Sequence, residues 1–184
     1  PAAGGDLAGG GTVAEGEAGS RVRGTFLQQR RDVDAVDRTN DVTGAFVIEG
    51  EEGALVIANG TVDVDMTTLR SDEGRRDNQL RGRGIQTDTF PTAMFEVNGP
   101  VALPAAFGSS DVDVTLPGRL TLHGVTRDVE MAAQARLQDD GTVVVAGSLP
   151  ILFADYDIEA PNIGGFVAVE DSGSMEFRVV LARQ

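Results

Sequence analysis

Val112-Asp113-Val114-Thr115-Leu116 leads into Arg119-Leu120-Thr121-Leu122-His123, and Asp128-Val129-Glu130-Met131 follows. In each stretch apolar and polar residues strictly alternate, the mark of a strand with one buried and one wet face. Alternation also implies antiparallel pairing, because parallel strands buried on both faces are apolar throughout. The pattern extends in both directions, through Thr61-Val62-Asp63-Val64-Asp65-Met66 upstream and Glu176-Phe177-Arg178-Val179 downstream. Turn residues fall between such runs. Glu51-Glu52-Gly53 and Asp139-Asp140-Gly141 read as turns, and Asn59-Gly60 as a bulge within a long strand. Strands are expected at 12–16, 20–28, 42–49, 55–68, 93–99, 111–123, 126–138 and 142–152, with 174–182 as a closing element.

One segment departs from this pattern. Residues 72–82 are polar and lack β-branched side chains, which predicts a short helix with Ser71 or Asp72 as N-cap and Gly82 at its end. Leu80, Ile85 and Phe90 are placed to pin this helix over one mouth of the sheet. Pro91 holds Phe90 extended and restarts strand geometry. Many long antiparallel strands with little helix give an all-β fold. Strands of 12–13 residues favour a closed barrel of about eight strands over a sandwich.

The 184 residues suit one domain, able to bury roughly 70% of its unfolded surface without covalent staples. Residues 1–11, PAAGGDLAGGG, read as a flexible linker. It is expected to be either an N-terminal tether or a cloning remnant, ahead of a barrel domain over 12–184. The absence of Met at position 1 is expected to mean either a mature form or an expressed piece with the leader removed. No apolar run approaches the ~18 residues of a membrane span.

The net charge of −14 excludes nucleic acid as a main partner and disfavours anionic lipid surfaces. There is no cysteine, so disulfides, thiolate metal sites and cysteine catalysis are excluded. All 15 basic residues are arginine, which removes lysine chemistry as well.

Few residues suggest a reaction, and each has a plainer reading. His123 has no partner at metal-ligand spacing and sits beside Gly124, which suits a turn or rim. Glu170-Asp171-Ser172-Gly173 is a poor match to a serine-protease motif and reads as a turn before the last strand. Asp32-Val33-Asp34-Ala35-Val36-Asp37 lacks the glycine and glutamate of a calcium loop. Arg75, Arg76 and Arg81 are expected to pair with Asp72, Glu73 and Asp77 along the helix. No catalytic residue and no metal site is expected.

Four segments in order resemble the YceI-like family. They are Leu69-Arg70-Ser71-Asp72 with Arg76-Asp77-Asn78-Gln79-Leu80-Arg81; Thr89-Phe90-Pro91-Thr92-Ala93-Met94-Phe95; Gly118-Arg119-Leu120-Thr121-Leu122-His123-Gly124-Val125-Thr126-Arg127; and Phe153-Ala154-Asp155-Tyr156-Asp157-Ile158 with Met175-Glu176-Phe177. The likeness covers residues 12–183. It implies a lipocalin-like barrel that binds isoprenoid-type lipids or quinones in an internal pore, has no catalytic residues, is exported, and often dimerises. The chain carries Phe153 where many members have arginine.

On that resemblance the pore is expected to be lined by Phe26, Phe46, Val62, Val64, Met66, Leu80, Phe90, Phe95, Val97, Leu120, Leu122, Val129, Met131, Phe153, Tyr156 and Phe177, with Arg76 at the mouth. Small residues on the same face, Ala133, Ala135 and Gly147, are expected to leave room. Each buried CH₂ contributes roughly 0.8 kcal/mol, so an isoprene unit would supply about 3 kcal/mol before ordering costs. No cofactor is expected beyond such a bound ligand. The expected setting is extracytoplasmic, as a non-enzymatic carrier or sequestering protein. The alternative is an extracytoplasmic interaction domain whose barrel is closed and empty.

Overall fold

The structure, a computed structural model, describes residues 9–26, 31–51, 53–72, 74–160 and 167–183. Among these the chain forms ten strands, one α-helix and two 3-10 turns. The strands are β1 (Gly9–Phe26), β2 (Arg31–Thr39), β3 (Val42–Glu49), β4 (Val56–Asp65), β5 (Thr92–Val97), β6 (Val101–Ala102), β7 (Val112–Leu122), β8 (Val125–Leu137), β9 (Val143–Leu152) and β10 (Val167–Arg183). Helix α1 spans Gly74–Gly82.

Eight strands close a ring in the order β1-β3-β4-β5-β7-β8-β9-β10 and back to β1, with every pair antiparallel. The all-β antiparallel barrel is therefore as expected. Closure depends on β1 and β10, which run together from Gly11↔Arg183 to Phe26↔Val167. The two strands expected at 12–16 and 20–28 are one continuous strand. It absorbs its irregularities as register shifts at Val13/Glu15 and Val22/Gly24 instead of breaking. Strand β1 also takes in Gly9–Gly11, so it begins inside the segment read as linker. Residues 1–8 lie outside the described residues.

Three further differences follow, two of them at the same seam. Glu170-Asp171-Ser172-Gly173 is not a turn but part of β10, held by pairs such as Val22↔Gly173 and Ser172↔Leu152. The Asp-rich run Asp32–Asp37 lies in β2, which flanks the far half of β1 (Ala18↔Thr39 to Phe26↔Arg31). The two-residue β6 pairs with the start of β4. The expected bulge is present, since β3 and β4 shift register between Val47↔Asn59 and Ile48↔Ile57.

The expected strand over 55–68 stops at Asp65, where the chain turns into a 3-10 turn over Met66–Thr68. Asp65 caps it, accepting hydrogen bonds from the Thr67 amide (2.9 Å) and the Thr67 hydroxyl (2.6 Å). The hydroxyl first, and then the amide, hold the Asp65 carboxyl below its ordinary value. A carboxyl lowered in this way stabilises the fold above the unfolded carboxylate range, and the benefit is lost as pH falls through the folded value. Asp65→Ala should cost about 1 kcal/mol at neutral pH and less in acid, read from denaturation midpoints at the two pH values.

The wet face carries cross-strand pairs: Arg119 with Glu96 (3.0 Å), Arg21 with Glu176 (3.2 Å), and Arg136 in a two-pronged pair with Asp111. All are partly exposed to solvent and add little stability individually. The core is the inward face of the ring. Leu116 and Val179 are fully buried, and Met66 and Leu122 are 1% exposed.

Candidate functional site

Alternation places the inward residues in rows that run across the strands. One row is Val114, Ala133, Gly147, Phe177 and Ala18; another is Leu149, Met175, Ser20 and Asp37. Of the expected lining residues, Phe46, Val62, Val64, Met66, Phe95, Val97, Leu120, Leu122, Met131, Phe153 and Tyr156 are buried. Phe90, Val129 and Phe177 are half-buried. The side chains of Phe26, Leu80, Arg75 and Arg76 lie outside the described residues. Leu116, Leu149, Ile151 and Leu181 join the same face, and the alternation that marks Leu120 and Leu122 also marks Leu116.

Three phenylalanines lie flat against glycines of the wall. A Cβ built on Gly60 would strike the Phe46 ring, one on Gly118 the Phe95 ring (and the Glu96 carbonyl), and one on Gly147 the Phe177 ring. An aromatic ring covering a strand glycine restores packing that the missing side chain would otherwise forfeit. This corrects one expectation. Gly147 does not leave room, because Phe177 occupies its place.

Among the described residues the inner space is small. Among Phe46, Ile57, Leu103, Phe107, Leu116, Val145 and Leu181 lies a void of about 10 Å³, at the lower limit for one water. A larger hollow, about 650 Å³, lies against the outside of the wall. Its side chains include Asp113, Gln134, Ala146 and Arg178, the exposed residues that alternate with the inward set. It is shaped by the small residues Ala132, Ala146 and Ser148.

The two ends of the barrel differ. At the Phe46 end, Phe107 and Leu103 close over the core, with the Leu103 amide donating to the Leu55 carbonyl (2.8 Å). At the α1 end the cover is built from Met66–Leu69, the loop 83–91, the β7–β8 turn and a 3-10 turn over Phe153–Tyr156. The Met66 amide donates to the Pro91 carbonyl (2.8 Å), tying this cover to the wall. In the β7–β8 hairpin, His123 (φ 52°) and Gly124 (φ 75°) both take left-handed backbone, as a two-residue hairpin turn requires.

His123 is thus in a turn, as expected, but it is not a solvent-facing rim residue. Its ring is 7% exposed and packs on Phe90 with centroids 4.2 Å apart. Nδ1 lies 2.9 Å from the Tyr156 carbonyl. The left-handed turn directs its side chain inward from the end of β7. Burial, helped by the charge of Asp155 and opposed by Arg127, raises the Tyr156 phenol above its ordinary value, so it stays neutral over the physiological range. Among the described residues the other buried polar side chains are Ser20, Asp37, Thr39 and Thr87. Ser20 donates to Asp37 (3.4 Å), and the hydroxyls of Thr39 and Thr68 are 2.6 Å apart.

Among the described residues no group of three or more His, Asp or Glu could hold a metal ion, and no helix is long and apolar enough to cross a membrane.

Comparison with known proteins places this architecture. No curated protein matches the chain. Among solved structures, a polyisoprenoid binding domain from Saccharophagus degradans, implicated in plant cell wall breakdown, superposes with a TM-score of 0.67. It is 16% identical, with 94% of this chain and 99% of that one covered. BcnA of Burkholderia cenocepacia gives 0.62 at 18% identity, over 88% of this chain and 95% of that one. The YCEI protein of Campylobacter jejuni gives 0.53 at 15%, over 77% and 81%. At such identities these likenesses speak for the fold alone. Residues 13–181 match the YceI-like domain as a whole, and the chain therefore belongs to the YceI-like family.

Proposed function

We propose that this protein binds a long apolar molecule of isoprenoid or quinone type inside its barrel, as a non-enzymatic carrier or sequestering protein of the extracytoplasmic space. The observation that carries this reading is the inward face of the ring. From Phe107 at one end to Met66 at the other, its buried strand positions are almost entirely apolar. A tail needs no directional chemistry there, only area removed from water. The polyisoprenoid binding domain that shares the fold supports the same reading. Because the inner void among the described residues is about 10 Å³, uptake requires the wall side chains to move apart. A tether ahead of β1 and a homodimer form part of the proposal.

One observation favours a second reading, a closed barrel that acts through its outer face. The sizeable hollow is outside the wall and the inner void is about 10 Å³. Native mass spectrometry of the purified protein, with organic extraction of bound material, separates the two. A bound mass that resolves into a polyprenyl chain or quinone is the expected result. An apo mass that persists after incubation with such lipids would favour the closed interaction domain.

A further inference from the structure

We propose that the α1 end of the barrel selects a ligand whose head group carries a hydrogen-bond donor, such as an alcohol or a quinol hydroxyl. His123 and Thr87 are the residues that receive it. The inference rests on the apolar-ligand reading above and adds the orientation of the ligand and the chemistry of its head.

Two buried side-chain atoms carry the argument. Among the described residues His123 Nε2 and Thr87 Oγ1 have no hydrogen-bond partner, although their residues are 7% and 1% exposed. Buried polar atoms are nearly always paired, so each exception calls for an explanation. The tautomer of His123 follows from its other nitrogen. The Tyr156 carbonyl can only accept, so Nδ1 carries the proton and donates across 2.9 Å. In the neutral ring Nε2 is then a lone-pair acceptor. An acceptor requires a donor opposite it. A hydroxyl meets that need, whereas an ester, ether or ketone oxygen does not. The Thr87 hydroxyl can donate or accept, so it can take either role toward a hydroxyl head.

Both groups belong to one corner of the cover. Thr87 lies in the turn in which the Phe90 amide donates to the Gln86 carbonyl (2.9 Å), and Phe90 packs on the His123 ring. Gly124 gives that ring its place, since a Cβ there would lie 2.7 Å from Phe90 Cε1. Phe90 is half-exposed, which makes it the side chain whose displacement opens this corner. The opposite end, around Phe46, Leu103 and Phe107, has no buried polar side chain among the described residues. A head group at His123 therefore sends the tail toward Phe107.

The test compares a polyprenol with its acetate ester, which keeps the tail and removes the donor, by titration calorimetry on the full chain. Wild type should bind the alcohol at least tenfold more tightly than the ester. Thr87→Val keeps the shape and His123→Asn keeps the left-handed turn. Each should reduce the preference. Equal binding of alcohol and ester by wild type, or an undiminished preference in both variants, would overturn the head-group inference and leave the carrier reading standing. If neither lipid binds, the carrier reading itself fails and takes this inference with it.

Discussion

Gly60→Ala should destabilise the barrel by about 1–3 kcal/mol, and most of that loss should disappear when Phe46 is also replaced by Ala. Gly60 pairs directly with Phe46 across β3 and β4, and the three nearest atoms a new Cβ would meet all belong to the Phe46 ring. The ring is 2% exposed and borders a void of about 10 Å³. A displaced ring therefore has nowhere to go without pushing other side chains off their rotamers. Phe46→Ala alone should cost about 3–5 kcal/mol. In the double variant the added methyl faces vacated space, so its penalty should fall toward zero or change sign. Denaturant midpoints of the four proteins give the coupling energy. A Gly60→Ala penalty that survives the loss of Phe46 would place its origin in the backbone, and the ring-over-glycine account would be wrong.

Leu116→Ala should move two measurements in opposite directions. Leu116 is fully buried in the middle of β7 and lines the inner void. Its truncation should cost about 2–5 kcal/mol, or roughly 4–20 °C in melting temperature for a domain of this length. The same cavity lowers the work of admitting a lipid tail, so the stabilisation gained on adding a polyprenol should exceed that of wild type. The control is Ala146→Arg, which fills the outer hollow and leaves the interior untouched. It should change neither apo stability by more than about 0.5 kcal/mol nor the lipid response. If Ala146→Arg abolished the lipid response and Leu116→Ala left it unaltered, the ligand would bind outside the wall.

Much of this barrel is legible in the sequence, and the illegible parts have identifiable causes. Strands β4, β7, β8 and β9 announce themselves because each alternates and each pairs with a near neighbour in the chain. Asp139-Asp140-Gly141 marks a hairpin by local turn chemistry, and Gly141 does take a positive φ of 84°. The seam is different. Gly9–Gly11 and Glu170–Gly173 look like linker and turn, because neither has an apolar face of its own. They become strand because β1 and β10 supply each other's hydrogen bonds from opposite ends of the chain. Strand β2 was missed for a related reason. Its Asp-rich run acquires an edge partner only once β1 is in place.

The candidate site divides along the same line. The inward set was readable because side-chain direction in a strand has period two and needs only the residues on either side. That fixes which face is apolar and, with the turns, that the sheet is antiparallel. Only the tertiary structure decided what the apolar side chains do with the space they enclose. Whether Phe177 covers Gly147 or leaves it bare depends on the register between β9 and β10. Whether His123 is wet or buried depends on Phe90 and Tyr156 arriving from elsewhere in the chain. Those are distances between residues far apart in sequence, set by ring closure and packing, and no local pattern carries them.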